Sequence, residues 1–262
     1  MRKILTFAAA FALFASTQAF AIAGFGAHYV MNTGSLKGSN GVAQDLGAFG
    51  SIKVEQESAS TLKGLGFKLW IDILPFIDIE GTFNVAATRY KSFLLIPTPT
   101  GEEKISLEYA PEAPYNMVFS KASPIFGVAN GDLSITYPFE LPVIPIRPYI
   151  GAGFSYFASI PIVNASFTKK MLDSSPELVE ALTGAQDPAA ASQAASEIGS
   201  ILAETLKDES YTTGMGGHII AGVRAQVLVL AIYANGKYYF GGNTNSQFTQ
   251  GFVLEIGGGL AL

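Results

Sequence analysis

The stretch FVLEIGGGLAL, residues 252–262, decides how the whole chain is read. Every second residue, Phe252, Leu254, Ile256, Leu260 and Leu262, is apolar, with Gly258 the one gap. The other set is Val253, Glu255, Gly257, Gly259 and Ala261. A period of two is the signature of a strand whose faces meet different surroundings. Here one face is greasy, and a lone carboxylate sits on a glycine-rich opposite face.

Working outward, the N-terminus indicates export. MRKILTFAAAFALFASTQAFA (residues 1–21) has a basic start at Arg2 and Lys3, an apolar run from Ile4 to Ala15, and Ala19-Phe20-Ala21 before Ile22. That layout predicts a cleavable secretory signal peptide over 1–21. The run is too short for a spanning helix of about 20 residues. Without a cysteine at the cleavage point, a lipid anchor is not expected. The predicted mature chain, 22–262, keeps 14 basic and 21 acidic residues, net −7. Nucleic-acid binding wants a basic stripe and is not expected. Zero Cys excludes a disulfide framework and thiolate metal sites.

Only 14% of residues are charged, while 28 are Gly, 19 Phe and 11 Tyr. Yet no apolar run of about 18 residues follows the signal, so spanning helices are not expected. Alternation dilutes hydrophobicity in this way in a transmembrane β-barrel. Period-two segments recur at 22–31, 65–73, 77–85, 131–139, 147–160, 217–226, 228–240 and 249–262, predicting eight strands. Short connections (74–76, 140–145 and the turn around Leu228) alternate with long ones (32–61, 91–130, 161–214 and 241–248). The predicted fold is an all-β, antiparallel, up-and-down transmembrane barrel in a single domain. Its long loops lie outside the cell and both termini at the short-turn, periplasmic end. The long connection 91–130 holds two extended runs around Pro111-Glu112-Ala113-Pro114, either a hairpin above the membrane or a strand pair making ten. A helical insertion is predicted over 175–208. Ser175-Pro176 and Asp187-Pro188 each read as an N-cap followed by Pro at the first helical position. Glu197, Glu204 and a lone Lys207 on the second helix fit packing on the barrel mouth better than a membrane surface.

RPYIGAGFSYF (147–157) and FVLEIGGGLAL resemble strands of the small bacterial outer-membrane β-barrels, the group containing the outer-membrane protein A and W types. The resemblance implies a bacterial outer-membrane location, contact with membrane lipid, and insertion by the barrel-assembly machinery through the C-terminal strand. Such chains usually end on Phe or Tyr, whereas this one ends on Leu262.

The predicted inward face collects Lys68, Arg147, Arg224 and Lys237 with Asp72, Asp78, Glu80, Asp132 and Glu255. Trp70, Phe157, Tyr233 and Tyr239 share that parity. An eight-stranded interior is just wide enough for side chains to fill, so these groups are expected to plug the lumen as a charge network. A narrow path for small or apolar solutes is the alternative. Outward Tyr29, Tyr90, Tyr238 and Phe240 above, and Phe139 below, are predicted to form aromatic girdles. A lipid-modifying enzyme is the third reading. His28 and His218 both face inward, where either could pair with an acid such as Asp132, but no G-x-S-x-G or H-E-x-x-H stretch supports it. No cofactor is expected, and the residues name no extracellular ligand. The expected role is structural or surface interaction through the long loops.

Overall fold

The computed structural model describes residues 23–41, 44–45, 51–74, 76–98, 101–108, 123–139, 141, 145–162 and 211–262. The signal peptide over 1–21 and the helical insertion over 175–208 lie outside the described residues, as does the Pro111–Pro114 segment.

Eight long strands form the wall: β1 (Ala23–Leu36), β2 (Ala59–Leu74), β3 (Ile77–Arg89), β4 (Ile125–Pro138), β5 (Ile146–Ser159), β6 (Thr212–Val227), β7 (Leu230–Gly241) and β8 (Phe252–Ala261). Each pairs antiparallel with its sequence neighbours, and β1 pairs with both β2 and β8, so the sheet closes on itself. The seam is made by the chain ends: Gly24 faces Ala261, and the Leu262 amide donates to the Ala23 carbonyl at 2.7 Å. Closure leaves the barrel wall itself without an edge that could pair with another chain.

The register sets the width. From Ala23 the paired residues run Ile71, Ile79, Ile135, Ala152, Ile219, Tyr238 and Phe252. Phe252 adjoins Val253, whose partner is Asn32, so the circuit re-enters β1 at Thr33, ten residues beyond Ala23 (33 − 23 = 10). Such a stagger obliges the strands to tilt, typically by about 35–45° in barrels of this kind.

Burial is inverted relative to a soluble protein. On β2, Leu65, Phe67 and Leu69 are 71%, 68% and 61% exposed, while Lys68 and Trp70 between them are 1% exposed. Alternation runs the same way on all eight strands. An apolar belt left exposed among the described residues and a charged interior match a wall that faces hydrocarbon.

The strands are joined by short turns at Leu74–Ile77, Pro138–Ile146 and Val227–Leu230. At the opposite end, short strands Ser51–Gln56, Ser92–Thr98 and Gly101–Ser106 continue from the wall as a second sheet, joined by Gln44–Asp45. The wall has eight strands, and Ser92–Thr98 and Gly101–Ser106 pair as a hairpin in the second sheet; the expected hairpin about Pro111–Pro114 lies outside the described residues.

Candidate functional site: the lumen

The inward residues form three tiers. Nearest the short turns, Asp72 and Asp78 meet Arg147 and Arg224. Arg147 lies 3.0 Å from Asp72, and Arg224 lies 2.9 Å from each carboxylate. Arg224 also sits over the Trp70 ring, 5.2 Å from its centroid. Guanidinium suits this tier, because its planar fork can serve two carboxylates and an aromatic face together.

The middle tier is a continuous chain of polar contacts. Lys68 pairs with Glu80 at 2.6 Å and donates to the Tyr149 hydroxyl at 2.8 Å. Tyr149 donates to Asn235 Oδ1, and Asn235 Nδ2 donates to Glu255 at 2.7 Å. The other Glu255 oxygen accepts from Asn84, again at 2.7 Å. Lys237 bridges two carboxylates, Asp132 at 2.7 Å and Glu255 at 2.9 Å. Asp132 also accepts from Tyr239, Asn130 and Thr82. All nine predicted charges therefore lie in one lumen, and each of the four cations contacts at least one carboxylate. At Asp132 and Glu255, further hydrogen bonds from neutral side chains help make the buried charge tolerable.

Neither histidine hydrogen-bonds an acid, so the pairing with Asp132 that the enzyme reading would need is not formed. His28 contacts Asn84 Oδ1 at 2.6 Å and the Tyr233 hydroxyl at 3.1 Å. His218 is held between Ser134 at 2.8 Å and Ser155 at 2.7 Å. A neutral imidazole needs one donor and one acceptor, which two rotatable hydroxyls supply. Asp132 is instead occupied by Lys237, Tyr239, Asn130 and Thr82.

Glycine makes room for these groups. The cross-strand partner of His28 is Gly66, that of His218 is Gly153, and that of Trp70 is Gly24. A Cβ at any of the three would run into the facing ring. Large inward side chains sit opposite glycines because the lumen lacks width for two.

The third tier, at the long-loop end, is apolar. Val30, Leu36, Leu62, Phe126, Phe157 and Phe248 are buried together, with the Phe126 and Phe248 rings 4.9 Å apart. Tyr90 belongs to this cluster at 3% exposure, correcting its expected place in the outer girdle. It follows Asp78, Glu80, Asn84 and Ala86 on the even, inward parity of β3. The sequence signal for the cap was present: inward positions turn apolar at Phe126 and Val128 just before Asn130 and Asp132, and at Phe157 just after Ser155. Tyr29, Tyr238, Phe240 and Phe139 do face outward. Among the described residues no group of three or more His, Asp or Glu side chains is arranged to hold a metal ion.

No protein-family model matches the sequence. No curated protein matches it either. Solved structures similar to this chain include the outer membrane protein OprG of Pseudomonas aeruginosa, at 13% identity, TM-score 0.42, covering 92% of this chain and 96% of that one. The attachment invasion locus protein Ail of Yersinia pestis is similar at 8% identity and TM-score 0.41, over 92% of this chain and 98% of that one. Neisserial surface protein A is similar at 12% identity and TM-score 0.41, over 90% and 94%. These neighbours are small bacterial outer-membrane barrels of eight strands.

Proposed function

We propose that this chain is an exported bacterial outer-membrane barrel whose lumen is a structural plug and whose working surface is its long-loop end. On this reading residues 1–21 are removed on export, and β8 is the strand engaged by the barrel-assembly machinery. The observation that carries the plug is the lumen's filling along its length. Paired charges occupy two tiers, and Phe126, Phe248 and their neighbours close the third. The enclosed His28 and His218, held by amide and hydroxyl groups, favour packing over catalysis. The loop-end sheet supports a role in surface interaction. It is braced by ion pairs from Lys53 to Glu102 and from Lys104 to Glu55, each 2.7 Å.

Planar-bilayer recording tests this reading. The purified barrel is expected to insert without conductance steps above the bilayer background. Steady steps whose ion selectivity changes in Glu255→Gln would overturn the plug and establish a narrow channel.

A further inference from the structure

The short-turn end of the barrel is apolar where water would favour polar residues. Across 74–76, 139–146 and 227–230 the sequence has one charged residue, Glu140. Phe76, Leu141, Ile146, Leu228 and Val229 are exposed there, and Leu262 joins them from the C-terminus. Backbone bonds tie these segments together. The Gln226 amide donates to the Pro145 carbonyl at 3.1 Å, and the Ala261 amide to the Val229 carbonyl at 2.9 Å. A joined apolar surface of this kind marks a contact, as scattered exposed residues do not.

The apex of the β6–β7 hairpin is a second, independent sign. Leu228 stands at φ 56° and is 70% exposed. The left-handed region of a two-residue hairpin turn favours Gly, Asn or Asp, and a bulky side chain is strained there. Gln226 steadies the turn by donating from its side-chain amide to the Leu228 carbonyl at 3.1 Å. The leucine side chain itself is left outside the protein, so the strain is offset only by what covers it.

Height indicates the cover. The outward face of β7 runs ten residues from Leu230 to Phe240 (240 − 230 = 10) and carries no charge. At about 3.3 Å per residue and a tilt of about 40° that is roughly 25 Å, the height of an outer-membrane barrel's apolar band. With Tyr238 and Phe240 at the upper boundary, Leu228 and Val229 fall at the lower one. The rim is also continuous with the belt, because Val227, Leu230 and Ile146 begin the strands whose outer faces form it.

We infer that the short-turn rim is sunk into the boundary between head groups and acyl chains of the leaflet on that side, with phospholipid covering Leu228, Leu141 and Phe76. The inference rests on the membrane-spanning reading above and adds a boundary to it: the turns are anchors in lipid, and they offer the aqueous side no projecting loop.

The test uses a chain that has no cysteine of its own. Leu228→Cys, Leu141→Cys, Leu133→Cys and Ser51→Cys are each labelled with a small fluorophore in urea and refolded into phosphatidylcholine nanodiscs, one barrel per disc. Heat-modifiable migration confirms the folded barrel in each sample. Quenching is then read with aqueous iodide and with phosphatidylcholine carrying a nitroxide high on its acyl chain. Both turn labels are expected to be quenched by the nitroxide lipid. Against the label of Ser51→Cys on the loop sheet they should lose at least about fivefold of the iodide quenching, as suits groups about 5–10 Å into the boundary. Turn labels as open to iodide as that of Ser51→Cys would overturn the inference, and labels shielded from both quenchers would show protein as the cover and overturn lipid. Leu133→Cys, in the middle of the belt, separates the two readings. Its label shielded from iodide while the turn labels are open contradicts only the sunken rim, whereas its own exposure to iodide contradicts the membrane-spanning wall.

Discussion

Lys237→Met is expected to lower the barrel's stability to chemical unfolding by about 3–5 kcal/mol, the usual cost of breaking a buried pair by removing one partner. Lys237 is fully buried and is the cation that bridges Asp132 and Glu255. Without it, two carboxylates share the middle tier, supported only by hydrogen bonds from neighbours such as Asn130, Tyr239, Asn84 and Asn235. Glu255→Ala should be damaging for the mirror-image reason, but less so, because Lys237 keeps Asp132. Lys237→Met/Glu255→Gln should recover part of the loss, since one stranded charge is removed. Urea midpoints of the lipid-reconstituted barrel measure all three. A Lys237→Met protein as stable as the parent would show that water reaches this tier and that the lumen is not plugged there.

Deleting Ala261 and Leu262 is expected to stop assembly altogether. These residues make the seam: Ala261 faces Gly24, its amide bonds to the Val229 carbonyl, and Leu262 exchanges backbone bonds with Ala23. The truncated chain leaves β1 with unpaired backbone at its start and the barrel seam open there. It should accumulate in the periplasm. Leu262 itself is 71% exposed on the lipid-facing parity. Leu262→Phe should therefore assemble at least as well as the parent, while Leu262→Lys near the interface should alter stability by only about 0–1 kcal/mol. Insertion of the truncated chain at the parental rate would contradict the proposal that β8 is the strand engaged on assembly.

The alternation that dilutes hydrophobicity along this chain is also what makes the wall legible from sequence. Lys68 between Phe67 and Leu69, or Glu255 between Leu254 and Ile256, has one acceptable place in an eight-stranded barrel, and parity alone assigns it. Parity does not say who meets whom. Lys237 reaches Glu255 on the adjacent strand and Asp132 across the lumen, and that pairing depends on a stagger set only when β1 and β8 close the circuit. The same limit hid the histidine partners, which come from strands distant in sequence. Tyr90 was legible but misassigned, because an aromatic near a strand end suits a girdle as well as a cap until its parity is counted. The loop sheet was not legible: its hairpin pairs Ser92–Thr98 with Gly101–Ser106, ahead of the runs around Pro111–Pro114, and the pairing of Ser51–Gln56 with Ser92–Thr98 joins two separate loops.

If these strands cross a membrane with their apolar face in lipid, fractionation of the envelope should show it. Envelope membranes are separated by density, and the recovered protein is run in detergent with and without boiling. Recovery in the outer-membrane fraction is expected, with a band whose mobility shifts on boiling as the closed barrel opens. A soluble pool that resists sedimentation and migrates identically before and after boiling would contradict it.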